Sequence, residues 1–169
     1  LVAFGCGEQA YWHVRLTLLL RGDEVERVVF INRRVSEGCK GVVERLKTWR
    51  EGFGFEVVTR EDGGYERRVA EVLREADVVF CCTPSTEPLF DSGVLLEDEE
   101  EKGRLVVAIG SYTPEMREVP RGLIERAVNG EGGEREVGVI VVDTIDGALK
   151  EAGELIEAGV TPEQLVEYV

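Results

Sequence analysis

The residues with the clearest chemical spacing are Gly5-Cys6-Gly7-Glu8-Gln9-Ala10, which follow an apolar run at 1–4 and open a longer amphipathic segment. Glycine at the first position permits a tight turn, glycine at the third removes a Cβ from the path of a phosphate, and alanine at the sixth lets helix and strand close on each other. This is the G-x-G-x-x-A form of the dinucleotide fingerprint. The helix that follows would offer unpaired N–H groups and a positive dipole end to an anion. Glu8 is awkward in that first turn and is expected to point outward. A glycine turn that binds nothing is the competing reading, and S-adenosylmethionine is a rival ligand that asks for an acidic residue after the second strand.

The position after the second strand selects among these. It reads Asn32-Arg33-Arg34, about the spacing expected beyond the glycine turn. A carboxylate there would accept from the ribose 2′-hydroxyl of NAD. Here none repels a 2′-phosphate, and two guanidinium groups can clamp one. NADP(H) is therefore favoured over NAD(H), with solvated loop charges as the bland alternative.

These residues need a scaffold, and the chain alternates short β-branched runs with amphipathic segments. Strands are expected at 1–4, 27–31, 56–58, 77–81, 105–109 and 139–142, and helices at 8–20, 36–50, 65–75, 121–128, 144–157 and 161–168. Near-continuous apolar strands separated by helices predict an α/β fold: a Rossmann-type doubly wound, mainly parallel sheet flanked by helices. Ser36 and Thr161 are expected N-caps, with Pro162 in the first turn, and Gly52 and Gly159 are expected stops. The acidic run Glu97-Asp98-Glu99-Glu100-Glu101 and the glycine-containing stretch 129–136 read as solvated connectors. On helix 8–20, His13 shares the sheet-facing arc with Ala10, Val14 and Thr17 and reads as structural. Trp12, Leu16, Leu19 and Leu20 form a second apolar stripe, expected to be covered as in a core helix, with contact to a further domain as the alternative.

The 169 residues fit one domain, and 43% hydrophobic residues suffice for a core. A net charge of −14 argues against nucleic acid and against an anionic membrane surface. No apolar run has the length of a membrane span, and no basic stretch precedes residues 1–4, so these read as a strand and not a leader. Cys6, Cys39, Cys81 and Cys82 match no zinc or redox spacing and are expected as reduced thiols in a cytoplasmic protein without a metal.

Ligands of such a sheet lie across the carboxyl ends of its strands. Thr83, Pro84 and Ser85 follow the fourth strand, and Gly110 and Ser111 the fifth; all five are expected to border the cofactor. Asp143 follows the sixth, where helix capping and cofactor contact stand as alternatives.

Four segments carry a family resemblance. Gly5–Ala10 resembles a G-x-G-x-Q-A turn, and Thr83-Pro84-Ser85-Thr86-Glu87-Pro88-Leu89-Phe90 a T-P-S-x-x-P segment. The stretch from Ala108 to Val119 resembles A-(V/I)-G-x-x-x-P-x-x-x-E-(L/V). Val141-Val142-Asp143, followed by Ala148-Leu149-Lys150-Glu151-Ala152-Gly153-Glu154-Leu155, resembles V-V-D … A-L-x-E-(A/S)-G-E-(L/I). In this order they resemble the ornithine cyclodeaminase/μ-crystallin family. The resemblance implies that the whole chain is one NAD(P)-binding Rossmann domain. It also implies that the parent carries a substrate and dimerisation domain, built from segments on either side and absent here, and forms a homodimer. Members of the family move hydride between nicotinamide and the α-carbon of a small amino or imino acid. Where the family's cyclodeaminases carry a catalytic Asp in G-G-D-x-P, this chain has Gly110-Ser111-Tyr112-Thr113-Pro114. A phenol with a pKa near ~10 is a poor base at neutral pH. The catalytic residue is therefore unassigned, and Tyr112 stands either as a hydrogen-bond donor to substrate or as an aromatic wall. The expected parent is an NADP(H)-dependent oxidoreductase acting on an amino or imino acid. A non-catalytic, crystallin-like NADPH-binding protein and an NAD-using ornithine cyclodeaminase are the alternatives. The isolated domain is expected to bind cofactor without turnover.

Overall fold

The computed structural model describes residues 1–96, 102–129 and 138–168. The expected connector at 97–101, and all but Asn129 of that at 129–136, lie outside the described residues. The chain divides into two compact units. One comprises 1–83 with the described part of 98–109; the other comprises 84–96, the described part of 110–168 and nothing else.

The first unit is the expected sheet. Its strands are β1 (Val2–Phe4), β2 (Val28–Asn32), β3 (Phe55–Thr59), β4 (Val78–Cys81) and β5 (Leu105–Ala108). They are all parallel, in the order β3-β2-β1-β4-β5. β1 lies at the centre, with Phe4 in register with Ile31 on one side and Cys81 on the other. This order is one wing and the turning point of a Rossmann-type sheet. The helices are α1 (Glu8–Arg21), α2 (Glu37–Trp49) and α3 (Tyr65–Glu75). Ala3, Val28, Phe30 and Phe80 project to one face and pack with Ala10, Tyr11, Val14 and Leu18 of α1 and Cys39, Val42, Val43 and Leu46 of α2. Their alternates, Val2, Val29, Ile31, Val79 and Cys81, are equally buried, as are Val69, Val72 and Leu73 of α3, so both faces are covered. Ser36 caps α2 by accepting from the Cys39 amide at 3.2 Å. Arg50 closes the end of α1, donating to the carbonyls of Leu18 at 3.1 Å and Gly22 at 2.8 Å.

The second apolar stripe of α1 is not covered as expected. Trp12, Leu16, Leu19 and Leu20 are 47–80% exposed. They occupy the arc opposite Ala10, Val14 and Leu18, and one sheet can bury only one side of a helix. His13 is structural, as expected: it donates to the Gln9 carbonyl at 2.8 Å, and its ring sits 5.3 Å from that of Phe80.

The second unit holds α4 (Gly93–Leu96), α5 (Arg121–Asn129), β6 (Ile140–Val142), α6 (Ile145–Glu151), α7 (Gly153–Ala158) and β7 (Leu165–Glu167). Three expectations are corrected here. The sixth strand does not extend the main sheet; β6 pairs in parallel with β7 in a separate two-stranded sheet. The expected helix at 161–168 is one 3-10 turn, Pro162–Gln164, followed by β7. Thr161 and Gln164 form the capping box, but so short a segment has little helical stability alone, and strand pairing takes its end. The expected helix 144–157 is two helices, broken where Ala152 becomes extended at ψ 100°. Gly159 ends α7 in the left-handed region at φ 67°.

Candidate functional site

The glycine turn sits at the carboxyl end of β1, stitched to the strands on both sides. The Gly5 amide donates to the Ile31 carbonyl at 2.8 Å, and the Cys82 amide donates to the Phe4 carbonyl at 3.0 Å. Gly5 has φ +88°, and a Cβ there would lie 2.7 Å from the Cys82 carbonyl oxygen. The fold itself therefore demands glycine at this position. Gly7 differs: its backbone is extended at φ −110°, ψ −168°, and a Cβ would meet nothing within 4 Å. Among the described residues no contact requires glycine there. Ala10 is fully buried against the sheet. Between the glycines, Cys6 is buried with its thiol directed at the Cys39 carbonyl, 3.6 Å away. Burial first, and the neighbouring Cys39 second, push its pKa far up and keep it protonated. All four cysteines are free thiols.

Glu8 points away from the turn. Its carboxylate pairs with the Arg45 guanidinium of α2, one oxygen directly and the other at 3.4 Å from Nη2. Arg45 lies 3.8 Å from the centroid of the Tyr11 ring. Its raised pKa follows chiefly from the hydrogen bond to Glu8. Sequence reasoning missed Arg45; the only signal was an acidic residue in a first turn that faces an anion site.

At the end of β2, the Asn32 side chain donates to the Arg34 carbonyl at 3.1 Å and shapes the turn that carries both arginines. Arg33 and Arg34 are exposed, and among the described residues neither guanidinium has an ion-pair partner. Thr83 touches the turn from the end of β4, its methyl 3.1 Å from the place of a Gly5 Cβ. The first unit thus brings together Gly5, Gly7, Glu8, Gln9, Ala10, Asn32, Arg33, Arg34 and Thr83.

The second unit holds Pro84, Ser85, Gly110, Ser111, Tyr112 and Asp143. Two of the family-like segments lie side by side in it: Arg117 N–H donates to the Ser85 carbonyl at 2.8 Å, and Leu89 N–H to the Glu118 carbonyl at 2.9 Å. The Gly110 amide donates to Glu118 Oε2 at 2.7 Å, and Glu118 is fully buried. Pro84 is exposed, and Ser85 closes a small turn by donating to the Glu87 carbonyl at 2.7 Å. Tyr112 is 61% exposed. Asp143 accepts from the Thr144 amide at 2.7 Å, whereas Glu167 of β7 accepts from Ile145, the first residue of α6, at 3.0 Å. A Cβ on Gly153 would clash with the Met116 carbonyl oxygen and lie 2.5 Å from that of Pro114. Next to it, Glu154 is buried. Burial raises its pKa against the opposing pull of its own amide, the Ser111 hydroxyl, the Glu118 amide and the Arg117 charge. Glu87, Pro88, Arg117, Val119, Arg121, Glu154 and Glu157 line a cavity of about 270 Å³ in this unit. Among the described residues no group of His, Cys, Asp and Glu could hold a metal ion, and no helix is long and apolar enough to cross a membrane.

A parallel sheet in this order, with a glycine turn at the end of its central strand, defines a Rossmann-type nucleotide-binding fold. Comparison with known proteins narrows the class. No family model matches the chain. It is 29% identical to an uncharacterized protein of Saccharomyces cerevisiae over 99% of its own length and 47% of that protein's. It is 30% identical to a Delta(1)-pyrroline-2-carboxylate reductase of Bacillus cereus over 92% of its length and 39% of the reductase. A solved structure, the Delta(1)-pyrroline-2-carboxylate reductase of Thermococcus litoralis in complex with NADH and L-proline, matches 98% of this chain and 43% of its own with a TM-score of 0.70 at 18% identity, a likeness of fold. An uncharacterized cyclodeaminase of Dictyostelium discoideum is 28% identical over 69% of the chain. These likenesses, to pyrroline-2-carboxylate reductases and an uncharacterized cyclodeaminase, are consistent with the resemblance to the ornithine cyclodeaminase/μ-crystallin family. The chain spans less than half the length of these curated relatives.

Proposed function

We propose that this chain is the nicotinamide dinucleotide-binding part of an oxidoreductase that acts on a small imino or amino acid, with NADP(H) as its cofactor. The observation that carries this reading is the contrast between the two glycines of the turn. Gly5 is required by the Cys82 carbonyl, while Gly7 opens onto empty space beside the first turn of α1, where the pyrophosphate of a dinucleotide belongs. Two exposed arginines, without ion-pair partners among the described residues in a chain of net charge −14, support a 2′-phosphate as the group at the end of β2. The cofactor supplies or accepts hydride when bound. The chain's own residues bind and orient it, through the turn, Asn32 and the arginine pair. The pyrroline-2-carboxylate reductases among the relatives support reduction of a cyclic imine as the parent reaction. Tyr112, where cyclodeaminases of the family carry Asp, speaks against ornithine cyclodeamination.

Calorimetric titration with NADPH and NADH, side by side, tests the proposal. NADPH is expected to bind more tightly. The double variant Arg33→Ala, Arg34→Ala is expected to lose about tenfold or more in NADPH affinity, in line with ~1.5–3 kcal/mol for charge-assisted hydrogen bonds, with little loss for NADH. Equal losses for both would remove the arginine clamp. No binding of either dinucleotide to the unaltered chain would remove the cofactor reading.

A further inference from the structure

The start of α1 poses an electrostatic problem that the chain solves within itself. A dinucleotide pyrophosphate is drawn to a helix N-terminus because the first amides are unpaired and the dipole there is positive. A carboxylate in the first turn competes for the same field and repels the same ligand. Glu8 is the first residue of α1, directly after Gly7, whose open side marks the approach to the turn. Its charge is nevertheless engaged elsewhere. Arg45, projecting from α2, takes both Glu8 oxygens and rests its guanidinium on the face of Tyr11, which is one turn along from Gly7 and buried. Tyr11 thus gives Arg45 a fixed platform, and Arg45 gives Glu8 a fixed direction.

We propose that Arg45 is a positioning residue of the dinucleotide site: it draws the Glu8 carboxylate toward α2 and neutralises it, so that the N-terminus of α1 keeps its affinity for an anion. The inference rests on the cofactor reading given above. Arg45 meets the Gly5–Ala10 turn through Glu8. It acts only through Glu8, which makes its effect on binding conditional on the charge of that residue. The pair is exposed enough for salt to screen the repulsion it relieves.

A double-mutant cycle on the full chain, read as NADPH affinity by calorimetry at low and high salt, tests this. Arg45→Met keeps an aliphatic stem over Tyr11 and removes the charge. It is expected to weaken binding by about fivefold at low ionic strength, the scale of one charge at a helix terminus, and by less at high salt. Adding Glu8→Gln to Arg45→Met is expected to restore most of the lost affinity. Glu8→Gln alone is expected to tighten binding about twofold, because it leaves Arg45 free to attract the ligand. A purely structural role for Arg45 would give a loss that salt does not reduce and Glu8→Gln does not repair. That result overturns the inference, as does unchanged affinity in Arg45→Met. Should Arg45→Met fail to fold, Glu8→Gln decides alone, and weaker binding by it overturns the inference. If the unaltered chain binds neither NADPH nor NADH, the cofactor reading falls and this inference falls with it; if it binds and the cycle shows no coupling, only the inference falls.

Discussion

The two units of this chain are held together by different means. In the sheet unit, β1, the first four residues of β2 and three of the four in β4 are buried without a break, and the fully enclosed side chains are Val, Ile, Leu, Phe, Ala and Cys. In the second unit the strands are thin, with only Leu165 buried among the six residues of β6 and β7. The buried groups that organise it include two carboxylates, Glu118 and Glu154, and a glycine set against backbone carbonyls. Apolar burial is non-directional and tolerates local error. A buried carboxylate is tied to particular donors and tolerates little. The first unit is therefore specified by pattern and the second by individual contacts.

The largest effect that would sharpen this contrast is expected in the sheet unit. Leu46 of α2 is fully enclosed, and Leu46→Ala is expected to cost about 3 kcal/mol as lost transfer free energy plus cavity. Trp12 and Trp49 both lie in this unit, so their fluorescence during urea unfolding reads it directly. A cost under half that value would break the comparison. Next in size, Gly153→Ala forces a Cβ against the carbonyls of Pro114 and Met116 and is expected to cost about 2 kcal/mol in overpacking. The loss should show in circular dichroism while the tryptophan transition keeps its midpoint; a shift of both together would mean that the units do not differ in the way described.

The smallest effect concerns charge. Glu154 is held above its ordinary value of 4.5, so the folded state binds its proton more tightly than the unfolded state does. The contribution of Glu154 to stability is then greatest in acid and is lost as pH rises through 4.5 toward the raised value, leaving a deficit at neutral pH. Glu154→Gln removes that deficit. It is expected to stabilise the protein at pH 8 and to leave it unchanged at pH 4, measured as urea midpoints across the range. Destabilisation at pH 8 would show instead that the Ser111 hydroxyl and the amides around the carboxylate outweigh its burial.

The same difference explains what could be read from the sequence. The five strands and three helices of the first unit follow from apolar periodicity and caps such as Ser36, and their bounds fall within two residues of those expected. The glycine turn was equally legible, because its spacing is local. The split of 144–157 at Ala152 was not: it sets the next residue, Gly153, against carbonyls more than thirty residues earlier in the chain. Neither was β7, whose partner lies across two helices. The roles of Glu118 and Arg45 escaped for a related reason: a charged residue in an amphipathic stretch reads as a solvated face until its distant partner is known. The exposed stripe on α1 was misjudged because periodicity counts apolar faces but does not count what is available to cover them.

The sheet unit is discontinuous along the chain. After β4 the backbone leaves it at 84–96 and later returns to lay β5 against β4. During synthesis, β1 to β4 can pair as soon as they emerge, but β5 must wait until that excursion has been translated and its ends brought back together. Closing such a loop adds only a slowly growing entropic cost, so the delay is set by the ribosome more than by the search. In that interval β4, which carries Thr83 to the glycine turn, is the edge of a growing sheet, and a nascent chain is most open to mispairing along Val78–Cys81.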